Sequence, residues 1–343
     1  MRGMETGTAD LRRATIAGLA ALVLLTAGLG LAASQTPSRK SPQTPKRSGA
    51  ATFEDAVDVS WVLVPVVVRS AGGYVGELTQ KDFRLFVDGR RVAIESFDSS
   101  RDAATSLVWL QDLSGSMANA GKIEASRQAF RYFVERTRPE DEIAIATFAS
   151  GLLQVEVPFT GDRGALLEAS QLWEGWGTTT LHDAVAFLPE ITDSGRHRKR
   201  AVVLITDGVD NASVLTPAES RLIVREARLP VYVLGFTTTD PRDLEDRNKL
   251  ANEELAESFR YAQLLHRLAR ASGGRFLWVT DPAGIEQGAA AVLDELRHQY
   301  VLGFPARRAP RKYREIRVEL EGRHKGEILH RQGYYGGLPA PGS

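Results

Sequence analysis

Residues 106–117 read SLVWLQDLSGSM. The first six are a short apolar run of the kind found in strands buried on both faces. Asp112, Ser114 and Ser116 then end the run with short oxygen-bearing side chains. Working outward, residues 122–137 place Ile123, Ala129, Phe130 and Phe133 at helical spacing. Residues 141–148 (DEIAIATF) read as the next strand, with 152–157 as its hairpin partner. Helical patterns at 181–191, 221–228, 261–272 and 285–298 alternate with strand patterns at 201–206 (AVVLIT), 231–236 (VYVLGF) and 275–279. Strand and helix in alternation predict an α/β domain with a doubly wound, Rossmann-like, mainly parallel sheet over residues 103–298.

Both flanks of this domain are β in character. Residues 57–68 are rich in β-branched side chains, and Pro65 predicts an edge position or a bulge. Residues 83–87 and 91–97 flank Asp88-Gly89, a tight-hairpin signal. After residue 300, alternation runs through 313–320, turns at Gly322 and resumes over 327–335. Neither flank is large enough to cover its own apolar face. The segments 51–102 and 299–337 are therefore expected to pack together as one small β-domain.

Upstream, Arg12 and Arg13 precede an uncharged apolar run over 14–33, with small residues at Ala32-Ala33-Ser34. Residues 1–34 read as a secretory signal peptide or an uncleaved membrane anchor. Residues 35–50 are Pro- and Ser-rich with basic pairs, which predicts an extended linker able to touch anionic headgroups. The chain is expected to be exported: periplasmic, anchored to the inner membrane facing outward, or secreted.

In its 343 residues, 43 acidic side chains balance 43 basic ones, so a global electrostatic grip on nucleic acid is not expected. The chain has no cysteine, which excludes disulfides, thiolate metal sites and cysteine nucleophiles.

Ligands of doubly wound sheets bind beyond the C-terminal ends of the strands. The exits here carry Asp112, Ser114 and Ser116, then Thr206-Asp207-Gly208, while the loop Trp176-Gly177-Thr178-Thr179-Thr180 opens a helix between them. Asp112, Ser114, Ser116, Thr179 and Asp207 should meet at one edge. Oxygen donors alone select Mg²⁺, with Mn²⁺ or Ca²⁺ possible, over zinc or copper. Trp176, between two glycines, is a candidate for the rim of that site.

The order and spacing of these residues resemble the metal-ion-dependent adhesion site of the von Willebrand factor type A domain. The resemblance implies ion ligation by Asp112, Ser114 and Ser116, by Thr179 directly or through water, and by Asp207 through water. The flanks, LTQKDFRLFVDG at 78–89 and the YVLGF, REIRVEL and GYYG segments over 300–336, are similar to a bacterial subgroup of related proteins frequent in acidobacteria. That resemblance implies architecture more than role.

Other chemistries fit less well. Gly115 to Lys122 spaces its glycines wrongly for a phosphate loop, and Ile123 stands where a Mg²⁺-holding hydroxyl is needed. No G-x-S-x-G elbow is present, and His182 reads as a surface or capping residue. Asp210 and Asn211 read as a solvated turn, Trp173 as core, the basic run 196–200 as a solvated loop, and 237–258 as a long excursion on the ligand edge. The expected function is a non-enzymatic interaction module whose metal takes an acidic side chain from a protein partner. A periplasmic assembly or chaperone-like component of a membrane complex is the alternative, and a metal-assisted hydrolase a weaker one. Oligomeric state is not legible.

Overall fold

Six strands form the central sheet of the computed structural model, which describes residues 59–99, 103–227, 229–236, 253–279, 282–307, 312–322 and 326–336. The expectations for 1–34, 35–50, 51–58 and most of the 237–258 excursion fall outside those residues. In chain order the strands are β1 (Val59–Ser70), β2 (Gly73–Tyr74), β3 (Phe83–Val87), β4 (Arg90–Val92), β5 (Ser96–Asp98), β6 (Thr105–Asp112), β7 (Glu142–Ala149), β8 (Leu152–Thr160), β9 (Lys199–Thr206), β10 (Val231–Phe236), β11 (Phe276–Val279), β12 (Tyr300–Arg307), β13 (Lys312–Leu320), β14 (Glu327–His330) and β15 (Gly333–Gly336). The helices are α1 (Lys122–Arg136), α2 (Arg163–Gln171), α3 (Leu181–Ala186), α4 (Leu188–Asp193), α5 (Pro217–Ala227), α6 (Glu253–Ser272) and α7 (Pro282–Arg297).

The central sheet runs β11-β10-β9-β6-β7-β8, parallel except for β8, which returns antiparallel from β7 through Ser150 and Gly151. β6, β7, β9 and β10 have almost every side chain buried because helices cover both faces. One face packs Trp109, Ile145, Val203 and Tyr232 against Phe130 and Phe133 of α1 and Val292 of α7. The other packs Val108, Leu110, Val202 and Val233 against α3, α5 and α6. This is the doubly wound fold read from the sequence. The helix expected over 181–191 is two short ones, because Pro189 lacks the N–H that a continuous helix would need. α2 was not expected: it is capped by Asp162 but buries only Leu166 and Ser170, too few for a periodic signal. Among the described residues, no helix is long and apolar enough to cross a membrane.

The flanking strands form two further sheets, and each mixes the two ends of the chain. β1 lies between β12 and β14, with β5 beyond β12. β13 lies between β3 and β15, with β4 on the far side of β3. Their facing sides bury Val62, Val64, Val66 and Val68 of β1 with Leu85, Leu302, Phe304, Ile316, Val318 and Tyr334. Two stretches expected as single strands are divided between the sheets. Residues 91–97 become β4 in one and β5 in the other, and 327–335 become β14 and β15. Asp88 and Gly89 take left-handed φ of 50° and 75°, as the β3–β4 turn requires. Pro65 pairs with Val301, and on its other side β14 reaches only Val66–Arg69, so the missing N–H falls where β1 is locally an edge.

Candidate metal centre at the sheet edge

Asp112 is the last residue of β6 and is fully buried. Its Oδ1 accepts the Ser114 backbone N–H at 2.8 Å and its Oδ2 accepts the Thr206 hydroxyl at 2.6 Å. Both partners are neutral. Burial pushes the Asp112 carboxyl up to about 6; the Thr206 and Ser114 hydrogen bonds oppose the rise, and the nearby Asp207 charge adds to it. Ser114 is buried and its Oγ lies 3.2 Å from the Ser116 Oγ, at the mouth of a 3-10 turn, Gly115–Gly121.

Asp207 follows β9 directly and is 5% exposed. Its Oδ2 receives the Lys122 ammonium at 2.8 Å, and the same ammonium donates to the Ser116 carbonyl at 3.2 Å. Thr179 is buried. Its N–H donates to Asn211 Oδ1 at 2.9 Å, and its carbonyl accepts the N–H groups of Asn211 and Ala212.

The threonine loop is fastened to the first loop. Trp176 N–H donates to the Leu113 carbonyl at 2.7 Å, and Gly115 N–H to the Gly177 carbonyl at 3.0 Å. Thr178 exchanges two bonds with Ser150, one to its hydroxyl and one from its backbone N–H. Gly177 has φ 68°, and a Cβ there would stand 1.8 Å from Ser150 Oγ, so only glycine closes this contact. Trp176 projects at 49% exposure above it, while Trp173 is 2% exposed in the core.

The three loops thus converge, with two carboxylates and three hydroxyl side chains among them. Several contributors were not assigned from the sequence. Thr206 and Lys122 are bonded to Asp112 and Asp207 across 94 and 85 residues of chain, so no local spacing marks them. Asp210 and Asn211 lie in an irregular, partly solvated turn, as expected, but both side chains also carry hydrogen bonds that the sequence did not reveal. Asn211 holds Thr179, and Asp210 accepts the His182 N–H at 3.0 Å and the Ser213 hydroxyl at 2.6 Å.

His182 is buried rather than on the surface. Burial lowers its pKa and Asp210 raises it in part. Its Nδ1 lies 3.2 Å from Ser220 Oγ and its Nε2 3.9 Å from Asp210 Oδ2. Ser220 is 1% exposed, so this group fastens the 210–213 loop to α3 and α5 and offers no accessible nucleophile. The 196–200 run is also more ordered than expected: Arg196 pairs with Glu142, Arg200 with Asp193, and Lys199 is buried at the start of β9. Among the described residues, no three His, Asp or Glu side chains gather as a metal-ligand cluster, so hydroxyls must supply much of any donor set here.

Residues 107–209 match the sequence model of the von Willebrand factor type A domain, and the α/β fold around them is like that of this domain. No curated protein matches the chain. Among solved structures, an aerotolerance-related membrane protein from Bacteroides fragilis shares 18% identity, covering 56% of this chain and 98% of its own at TM-score 0.41. A von Willebrand factor type A protein from Catenulispora acidiphila shares 13%, covering 81% and 72% at TM-score 0.44. The von Willebrand factor domain of the type V pili tip protein Mfa5 from Porphyromonas gingivalis shares 11%, covering 55% and 94% at TM-score 0.40.

Proposed function

We propose that the chain is an exported protein-interaction module that holds a divalent cation at the sheet edge and, through it, captures a carboxylate of a protein partner. The observation that carries this reading is the buried Asp112 carboxylate, compensated only by neutral donors and set beside the Ser114 and Ser116 hydroxyls. A buried anion among hydroxyl oxygens fits a hard cation, Mg²⁺ first, with Mn²⁺ or Ca²⁺ as substitutes. Asp112, Ser114, Ser116 and Thr179 would hold the ion, and Asp207 would support it through water. Such an ion would supply Lewis acidity toward an anionic ligand. The chain's own part is to fix the loops and present Trp176 beside the opening. The apolar run 14–33 supports export, by cleavage or as an anchor. No reaction is part of the proposal.

The test is a pull-down from envelope extract followed by titration of the recovered partner, with Mg²⁺ and with EDTA. Asp112→Ala is expected to abolish metal-dependent binding. Asp207→Ala should weaken it less, because Lys122 already compensates that carboxylate. Trp176→Ala should cost about 1–2 kcal/mol as a rim contact. Binding unchanged by EDTA would defeat the metal bridge.

A further inference from the structure

A cavity of about 520 Å³ opens at the seam between the α/β domain and the β-sandwich, far from the metal edge. Topology fixes its place. α5 and α6 run from the ligand edge back to the N-terminal ends of β10 and β11, and their last turns carry Arg225 and Arg270. Both arginines line the cavity, facing Tyr313, Arg317 and Glu315 of β13 and His330 of β14.

The charges are unbalanced. Three guanidinium groups, Arg225, Arg270 and Arg317, meet one lining carboxylate, Glu315. Arg317 pairs with Glu319 and lies 4.3 Å over Phe86. Among the described residues, Arg225 and Arg270 have no carboxylate partner; Arg225 instead stacks 4.0 Å over the Tyr313 ring. Behind this wall sits Arg331, 1% exposed, donating from Nε to the Gly333 carbonyl and from Nη2 to the Arg225 carbonyl at 2.9 Å. The crowding reaches Arg221, whose pKa is lowered by burial and then by the charges of Arg267 and Arg225.

An arginine in the last turn of a helix is ordinarily explained by the negative end of the helix dipole. That accounts for Arg225 and Arg270 singly. It does not account for Arg317, which comes from β13; Arg331, by contrast, does meet a helix end, through the Arg225 carbonyl in the last turn of α5. His330 is not a further donor: its Nδ1 faces the Arg331 carbonyl at 2.7 Å and its Nε2 accepts the Val318 N–H.

We propose that this seam cavity is an anion site, taking a phosphate or carboxylate group between the Arg225 and Arg270 guanidinium forks with Arg317 as a third cation and the Tyr313 ring as wall. Guanidinium groups match the planar, two-oxygen geometry of such ligands. The two sources of that chemistry are a free small oxyanion and the acidic side chains of a partner segment.

The test is calorimetry of the full chain in EDTA, with inorganic phosphate in one arm and an end-blocked tetraglutamate peptide in the other. Saturable binding of at least one probe is expected, weakening as salt rises. Phosphate alone would mark a small-molecule site; a preference for the peptide would mark a partner segment. Arg270→Gln should weaken binding about tenfold or more. Its side chain is exposed and lies outside the core, so the variant should fold. Arg225→Gln should do the same, with circular dichroism confirming the fold, while Arg136→Gln on α1 should bind normally. Asp112→Ala should also bind normally, which separates this site from the metal edge. The proposal is overturned if neither probe saturates, if Arg270→Gln binds like the wild type, or if Asp112→Ala abolishes binding.

Discussion

Lys199 shows how far a single buried charge can bias stability. It is 7% exposed, and its Nζ donates to the Leu296 carbonyl at the end of α7. Burial, reinforced by Arg138, lowers its pKa to about 8 from the usual 10.5, with Asp141 and Asp98 opposing. Between those two values the unfolded chain binds more protons than the folded one, so the lysine makes stability rise with pH. Below about 8 both states are charged and the folded state carries the full burial penalty, of up to about 3 kcal/mol. Replacing Lys199 by Met should therefore flatten the stability curve between pH 8 and 9.5 relative to wild type. Urea denaturation at a series of pH values checks this. Equal slopes in the two proteins would show that the ammonium is not penalised.

At the scale of elements, the β-sandwich depends on strands that arrive last. β14 covers Val66–Arg69 of β1, and β15 covers Lys312–Glu315 of β13. A chain ending after Leu320 would lose both and leave β1 and β13 with open backbone edges. It should aggregate or become protease-sensitive in the sandwich, read by limited proteolysis with mass spectrometry. A truncated chain that stayed soluble, monomeric and protected would refute that dependence. The same strands show why parts of the sandwich were illegible in sequence. Apolar residues from both halves of each stretch, Val92, Ile94 and Phe97 in the first and Ile328 and Tyr334 in the second, line the one shared core, so nothing in the pattern marks the change of sheet. Strands such as β6 and β10 were readable because burial on both faces writes an unbroken apolar run. In the site, the oxygen side chains at strand exits stand at recognisable spacing. Thr206, Lys122 and Asn211 gain their roles from partners distant in sequence, which no local pattern records.

At the scale of the whole molecule, the α/β domain is inserted into the sandwich. β1 pairs with β12 from Val59↔Arg307 to Val66↔Tyr300, so this one ladder encloses the entire central sheet. The ladders of the central sheet close much shorter loops, and shorter loops close sooner. On refolding, amides of β6, β7 and β9 should gain protection before those of β1 and β12. Pulse-labelled hydrogen exchange resolves the order; simultaneous protection would mean that the two units fold as one.

The enclosure also sets the terms on which the cell can make this protein. Synthesis and any passage through a membrane proceed from one end, so β1 emerges while β12 and β14 are still some 230 residues or more from delivery. For that interval a strand with four fully buried valines, Val62, Val64, Val66 and Val68, has only the two-residue β2 paired to its far end. A ribosome that stalls late, or a protease that cuts ahead of β12, leaves a finished α/β domain on an unfinished sandwich. Quality control of this chain is thus concentrated in β12 to β15, which decide whether everything made before them is kept.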